Sequence, residues 1–337
     1  MWNYTRVDIM TIESLLIYVL FIFGFVLIAF GADWFVDAAV NISKRYGIPK
    51  AVIGATIVSF ATTAPEFLVS FMAALNGQAD MAIGNAVGSA ICNTGVAIGF
   101  IVVMKAVSVD DKSFNTKALL LLLSGVVLYL LSLSGVITRT GGLILLLIFV
   151  IYIGQSYRDQ KKEPKKTEEE ELTVRKGVWA KIKVKDSYLD VLMFLTGAIF
   201  VIAGSRLIVT NGTIIAEQLG IPEIIISLTL ISIGTSLPEI ITAIASFRKG
   251  YQDLSIGNIV GANILDITMI LGVSSMFVDL TVNTQFLRYD YIFMMIFFIL
   301  VAIFGYRQKI TRRQGALIAV IYVIYIAGLF VYVPTLT

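Results

Sequence analysis

Residues 47–99 read GIPKAVIGATIVSFATTAPEFLVSFMAALNGQADMAIGNAVGSAICNTGVAIG, and residues 220–272 repeat them without a gap at a constant offset of 173 positions (66 to 239, 85 to 258). Gly47, Ile48 and Pro49 recur as Gly220, Ile221 and Pro222. Pro65 and Glu66 recur as Pro238 and Glu239, and Gly84 and Asn85 as Gly257 and Asn258. Two unrelated greasy segments would share Leu and Ile by chance; they would not keep Gly, Pro, Asn and Glu in register. The chain is a duplication, and the duplicated unit decides its fold.

The surroundings of both copies are apolar. Of 337 residues, 58% are hydrophobic and 15% charged, with a mean hydropathy of +0.88, which is the composition of an integral membrane protein. Segments of about 20 apolar residues, enough to cross a bilayer, fall at 12–40, 50–75, 81–104, 115–133, 140–157, 188–218, 224–247, 253–278, 286–305 and 312–333. The polar start and the long run after it predict a first helix that is not a cleaved signal. With ten helices, the connections after helices 1, 3, 5, 7 and 9 share one side, and they hold 22 of the 26 Lys and Arg residues. Arg6, Arg139 and Arg288 lie on the other side and Arg206 within a helix. Since cytoplasmic loops carry the excess of Lys and Arg, both termini are expected outside a multi-pass protein of the cell (plasma) membrane.

Each unit contains five helices, an odd number, so the second enters the membrane from the side opposite to the first. The expected fold is therefore an all-α integral membrane protein with ten transmembrane helices, arranged as two five-helix inverted-topology repeats. The first repeat is expected over 1–157, with its motif at 54–99, and the second over 187–337, with its motif at 227–272. A charged cytoplasmic linker, 158–186, joins them. Inverted repeats are an architecture of secondary transporters, whose binding sites lie at the midplane where the repeats meet.

The chemistry available is narrow. The chain has no histidine and one cysteine, Cys92, which removes imidazole ligands, Ser-His-Asp catalysis, histidine proton relays and an internal disulfide. An intramembrane hydrolase would need paired membrane-embedded aspartates or a metal motif such as HExxH; neither occurs, and the chain reads as a transporter, not an enzyme. Pro65 lacks an amide hydrogen and clashes with the carbonyl four residues back, so its helix bends and the carbonyls near Ala61 and Thr62 are freed; Pro238 does the same near Gly234 and Thr235. Ser59, Thr62 and Glu66 share one helical face beside that break, as do Ser232, Thr235 and Glu239. On the following helices Asn85, Ser89 and Asn93 recur every fourth residue, matched by Asn258, Ala262 and Asp266. The glycines of GNAVG and GNIVG are expected to make close packing contacts.

Three acids, Glu66, Glu239 and Asp266, thus fall inside apolar spans with no basic neighbour in sequence. Such groups cost roughly 2.5–3.5 kcal/mol to insert and mark functional sites. The simplest source of the missing positive charge is a bound cation. A ligand set of carboxylate, hydroxyl, amide and carbonyl oxygen specifies a hard one, Ca²⁺ or Na⁺. Asp33 and Asp37 are read either as interfacial residues or as part of an ion path. Arg206, at the position equivalent to Asp33, could pair with it or anchor its own helix.

The motifs SIGTSLPEIITA with GNIVGANILD, and the looser SFATTAPEFLVS with GNAVGSAICN, resemble the alpha repeats of the Na⁺/Ca²⁺ exchanger branch of the cation/Ca²⁺ exchanger superfamily, and the compact linker resembles the prokaryotic members. The resemblance implies that helices 2, 3, 7 and 8 hold the ions while helices 1 and 6 slide across them to alternate access. It implies ligand roles for Ser59, Thr62, Thr63, Glu66, Ser89, Asn93, Ser232, Thr235, Ser236, Glu239 and Asp266. Ala262 stands where the family pattern has serine, and ATT stands in place of GTS. The expected activity is antiport of Na⁺ against Ca²⁺, with competition at shared carboxylates as the coupling and no cofactor beyond the transported ions. The alternatives are H⁺-coupled exchange of Ca²⁺ or another divalent cation, and a channel lined by the same carboxylates. The expected partners are these ions and the lipid bilayer, with no nucleic acid and a monomer as the functional unit.

Overall fold

The computed structural model describes residues 12–48, 50–109, 112–162, 186–218 and 232–332. Within them the chain is helical almost throughout. Helix α1 (Ile12–Tyr46) is followed by a broken span: α2 (Lys50–Ile53), a π-helical turn Gly54–Val58, α3 (Ser59–Thr62) and α4 (Ala64–Leu75). Helix α5 (Ala79–Cys92) runs through a second π-helical turn, Asn93–Ile98, into α6 (Gly99–Met104), and α7 (Lys112–Ser132) and α8 (Arg139–Lys162) complete the first half. The second half contains α9 (Asp186–Gln218), α10 (Ser232–Thr235), α11 (Leu237–Arg248) and α12 (Gln252–Leu265). A π-helical turn at Asp266–Ile270 leads to α13 (Leu271–Phe277), another at Phe286–Asp290 leads to α14 (Tyr291–Tyr306), and α15 (Arg312–Tyr332) closes the chain.

Among the described residues, eight helices are long and apolar enough to cross a membrane, and the pair Gly54–Thr62 and Ala64–Leu75, bent by 54°, makes a ninth if counted as one span. The apolar segments read from sequence coincide with these helices to within a few residues, except that α1 runs on to Tyr46. The start of the expected span 224–247, the repeated residues Gly220, Ile221 and Pro222, and most of the expected linker lie outside the described residues.

Burial sorts the spans into a centre and a shell. Residues Ala79–Met104 and Leu254–Phe277 have 72% and 89% of their apolar windows buried, against 22% for the first and last spans, Leu15–Tyr46 and Arg312–Leu329. The two spans that carry GNAVG and GNIVG are therefore the core, and the outermost ones present their side chains to lipid. Helices α1 and α9 pack together through small residues. A Cβ added at Gly31 would lie 2.9 Å from the Gly197 carbonyl oxygen and one at Gly197 2.8 Å from that of Gly31, while Gly24 and Gly204 meet in the same reciprocal way at 2.9 and 2.7 Å. Because Gly24 opposes Gly204 and Gly31 opposes Gly197, the helices run antiparallel, and no larger residue fits either crossing.

Two short antiparallel ladders clamp the ends of the bundle. β1 (Val107–Ser108) pairs with β4 (Lys309–Ile310), and β2 (Val136–Ile137) with β3 (Leu280–Thr281). Each ladder joins one half of the chain to the other, and the 173-residue offset carries β1 onto β3 and β2 onto β4. The glycine crossings obey the same relation, since Gly24 maps onto Gly197 and Gly31 onto Gly204.

Charge placement brings two departures from the sequence reading. Lys117, counted with a loop, is buried at 3% exposure within α7. Asp33, for which Arg206 was a candidate partner, is held by Lys249 just beyond α11. The Lys249 ammonium donates to the Asp33 carbonyl at 2.8 Å and lies 3.2 Å from the Asp33 carboxylate and 2.9 Å from that of Asp37, while Arg206 is exposed.

Candidate cation site

The bend at Thr63 builds the site. Pro65 sits in the first turn of α4, where its missing N–H costs nothing to the helix that follows but removes the donor that would have continued α3. Thr63 takes φ −79° and ψ −3°, and Ser236, its counterpart before α11, takes φ −83° and ψ −1°. Glu66 and Glu239 consequently stand in the first turns of α4 and α11, where the exposed backbone N–H groups favour negative charge.

The crossing helix α12 comes within backbone contact of the π-helical turn and of α3, which lead into the first of these breaks. A Cβ at Gly261 would lie 2.4 Å from Ser59 Oγ and 2.6 Å from the Ala55 carbonyl oxygen, and one at Gly54 2.5 Å from the Leu254 carbonyl oxygen. Gly261 is thus a packing residue, as its motif suggested; Gly84 faces Phe286 at an ordinary 3.6 Å. Amides lock the arrangement. Asn85 donates to the Glu66 carbonyl at 3.3 Å and to Ser70 Oγ at 2.9 Å, and Asn258 donates to the Glu239 carbonyl at 3.4 Å and to Thr242 Oγ1 at 3.1 Å. The two asparagines therefore brace the two glutamate-bearing turns in the same manner.

Contacts between the halves converge on the same region. Thr63 donates to Glu239 Oε1 at 2.9 Å, Thr235 to Asn85 Oδ1 at 3.2 Å, Ser59 to the Asn258 carbonyl at 2.9 Å and Asn263 to Thr94 Oγ1 at 2.8 Å. Ser59 shares its one hydroxyl proton between the Asn258 and Gly54 carbonyls and Thr62 donates to the Ser59 carbonyl, so these two protons are spent on backbone while the oxygens keep their lone pairs. Tyr152 of α8 donates to the Ala55 carbonyl inside the π-helical turn.

The sequence-derived candidates are buried together. Ser59, Thr63 and Ser236 are fully buried; Glu66, Ser89, Asn93, Glu239 and Asp266 are 1% exposed and Thr62 2%. Thr235 is half-buried, and Ser232 begins α10 with its side chain outside the described residues. Both oxygens of Glu66, both of Asp266, Oε2 of Glu239, Oδ1 of Asn93 and the hydroxyls of Ser89 and Ser236 have no hydrogen-bond partner. Buried polar atoms are nearly always paired, so these unmatched oxygens are candidate donors for a cation. Among the described residues no three Cys, Asp or Glu side chains close on a single point; a cation held here draws on hydroxyl, amide and carbonyl oxygen as well as carboxylate.

The two halves are not equivalent. Thr63 satisfies one oxygen of Glu239, but the matching pair, Ser236 and Glu66, is left open on both sides. The sequence reading also missed that Asn93 and Asp266 each begin a π-helical turn. Such turns concentrate at functional sites because they release a backbone carbonyl and re-aim the side chains around it. An inserted residue of this kind leaves no mark on an apolar pattern.

A profile described as sodium/calcium exchanger protein matches the chain twice, over residues 16–158 and 189–331, segments that are themselves displaced by 173 at both ends. The inner membrane protein YrbG of Escherichia coli (strain K12) is 32% identical over 94% of this chain and 98% of its own length. The sodium/calcium exchanger MaX1 of Methanosarcina acetivorans is 25% identical over 93% of this chain and 98% of its own. Among solved structures, that of the sodium-calcium exchanger NCX_Mj soaked with Na⁺ and Sr²⁺ superposes with a TM-score of 0.80 at 29% identity, covering 93% of this chain and 98% of that one.

Proposed function

The chain belongs to the sodium/calcium exchanger protein family, a family of multi-pass membrane antiporters and not of enzymes, and on that premise we propose that it exports Ca²⁺ by admitting Na⁺ through alternating access. The observation that carries this reading is the set of unpartnered buried oxygens on Glu66, Asn93, Ser236, Glu239 and Asp266. Ser59, Thr62, Thr63, Ser89, Ser232 and Thr235 complete the proposed ligand set. One divalent or several monovalent cations neutralise the same acids, whereas both loads together leave buried excess charge. Competition is the coupling.

The same reading assigns ten helices to two inverted five-helix repeats, 1–157 and 187–337, joined by a cytoplasmic linker at 158–186, with both termini outside the cell membrane and a monomer as the working unit. The double match of the family profile, the exchanged ladder pairs and the reciprocal glycine crossings of α1 and α9 support it. The small residues at those crossings leave the two long helices a smooth common seam along which they can slide over the ion-binding helices.

A specific observation supports a second reading, H⁺-coupled exchange of Ca²⁺ or another divalent cation. Ala262 is fully buried on α12 where Ser89 stands on α5, which removes one hydroxyl from a position suited to Na⁺. Equilibrium binding to the purified protein separates the readings. Added Na⁺ displaces Ca²⁺ with a Hill slope above 1 at fixed pH if several Na⁺ replace one Ca²⁺. Displacement by acidification alone, with Na⁺ without effect, would establish the second reading in place of the first.

A further inference from the structure

Separate polar contacts tie helix α1 to α9 and to the core. Arg45 and Asn41 of α1 both donate to the buried Asp190 of α9. Towards the core, the Lys249 ammonium reaches from the end of α11 to the Asp33 carbonyl and to the carboxylates of Asp33 and Asp37, and its side chain is left 23% exposed. The repeat makes this second tie one-sided. Lys249 is the C-cap residue of α11 at φ −79° and ψ 0°, followed by Gly250 at φ 87°; Asn76 holds the same place on α4 at φ −83° and ψ 5°, followed by Gly77 at φ 76°. The offset of 173 also carries Asp33 onto Arg206 and Asp37 onto Thr210 of α9. The backbone of the place is duplicated and its charges are not: Asn76, Arg206 and Thr210 offer no acid to pair with a base, and all three are exposed.

We propose that Lys249, Asp33 and Asp37 form a one-sided latch that holds α1 against α11, shuts the Lys- and Arg-rich end of the pathway and biases alternating access towards the state described here. The inference rests on the alternating-access reading above. When an inverted repeat alternates access, its two halves exchange conformations, so a contact between α1 and α11 in one state has its mirror between α9 and α4 in the other. A contact that both states make shifts nothing, whereas one made in a single state displaces the equilibrium by its own free energy. The ion pairs of Lys249 have no mirror at Asn76, and they therefore favour one state over the other. The same contacts decide between the two roles open to Asp33 and Asp37, since an ammonium that touches both carboxylates holds them as a clasp and not as steps of an ion path.

Exchange of ⁴⁵Ca²⁺ against unlabelled Ca²⁺ in uniformly oriented liposomes tests the latch without any particular coupling ion, and it reads the half-saturating Ca²⁺ concentration separately at each face. In the wild-type protein, Ca²⁺ entering at the Lys- and Arg-rich face is drawn on into the latched state, which lowers that concentration. Lys249→Gln and Asp37→Asn should each raise it relative to the concentration at the opposite face by about three- to fivefold, the upper end of what a partly exposed ion pair contributes. Lys249→Arg should keep the wild-type ratio. Surface charge acting on local Ca²⁺ would move the two variants in opposite senses, because loss of the ammonium attracts Ca²⁺ to that face and loss of the carboxylate does the reverse. A role in folding alone lowers the amount of active protein and leaves the ratio where it was. Opposite shifts, or an unchanged ratio in Lys249→Gln, overturn the latch. Absence of Ca²⁺ self-exchange in the wild-type protein removes the exchanger reading and the latch with it, whereas self-exchange with an unchanged ratio removes the latch alone.

Discussion

Replacing Glu66 by Gln removes one negative charge at constant shape. Both carboxylate oxygens are buried without a protein partner, so the change breaks no hydrogen bond. Unit charges about 4 Å apart interact by about 4 kcal/mol at an effective dielectric of about 20, which makes the lost attraction about 8 kcal/mol for a divalent ion and about 4 kcal/mol for a monovalent one. The amide oxygen remains a ligand and water replaces part of the rest. If only half of the divalent figure survives, about 4 kcal/mol, Ca²⁺ affinity still falls roughly a thousandfold. Thermal unfolding of the purified protein reads both consequences. At a Ca²⁺ concentration 100 times the dissociation constant, ligand linkage stabilises the wild-type protein by about 2.7 kcal/mol; Glu66→Gln should show no such gain, with ion-free stability equal to wild type or higher. A variant that keeps the Ca²⁺-induced shift removes Glu66 from the site. One that loses several kcal/mol without any cation contradicts the claim that its carboxylate has no partner in the protein.

Three further substitutions probe the scaffold and the ion preference. Arg45→Ala withdraws the guanidinium that bonds Asp190 Oδ2 at 2.9 and 3.0 Å and ties α1 to α9, and Asp190 is buried; with Asn41 still donating to Oδ1 at 3.3 Å, the expected loss is about 2–3 kcal/mol in chemical or thermal unfolding, and a loss below 0.5 kcal/mol contradicts the pairing. Gly261→Ala forces a methyl group into Ser59 Oγ and the Ala55 carbonyl, and overpacking of this kind costs about 1–3 kcal/mol; a neutral effect on unfolding would mean that α12 and the π-helical turn at Gly54–Val58 are not in backbone contact. Ala262→Ser restores the hydroxyl present at Ser89 and should lower the Na⁺ concentration that half-displaces Ca²⁺; an unchanged value removes this position from a Na⁺ site.

The sequence carried the parts of this structure that are written in polarity and in backbone-breaking residues. Apolar length located the spans because a helix in lipid satisfies its own backbone and leaves only its length to be read. Pro65 with Glu66, and Pro238 with Glu239, marked the bent turns because a missing N–H and a buried acid are visible letter by letter. The braces were half legible: Asn85 and Asn258 stood out as repeated polar residues, but their bonds to the Glu66 and Glu239 carbonyls depend on a crossing angle. The π-helical turns at Asn93 and Asp266 were not legible, since each is a change in hydrogen-bond register within unbroken helical sequence. The α1–α9 seam had a signal that went unread, because Gly24 and Gly197, and Gly31 and Gly204, stand at the repeat offset outside the motif. Lys249 could not be paired from sequence, as the separation of 216 positions between it and Asp33 is closed only by tertiary packing.

The central claim is that inward movement of Na⁺ drives Ca²⁺ outward through one shared site. Purified protein in sealed liposomes loaded with Na⁺ and diluted into Na⁺-free medium containing ⁴⁵Ca²⁺ tests it directly, because exchange is reversible and the outward Na⁺ gradient then pulls Ca²⁺ in. The expected result is ⁴⁵Ca²⁺ accumulation that requires internal Na⁺, vanishes when Na⁺ is equal on both sides, and is absent with Glu66→Gln or Glu239→Gln. Uptake driven by a pH gradient and indifferent to Na⁺, or uptake that persists with no counter-ion inside, would contradict it.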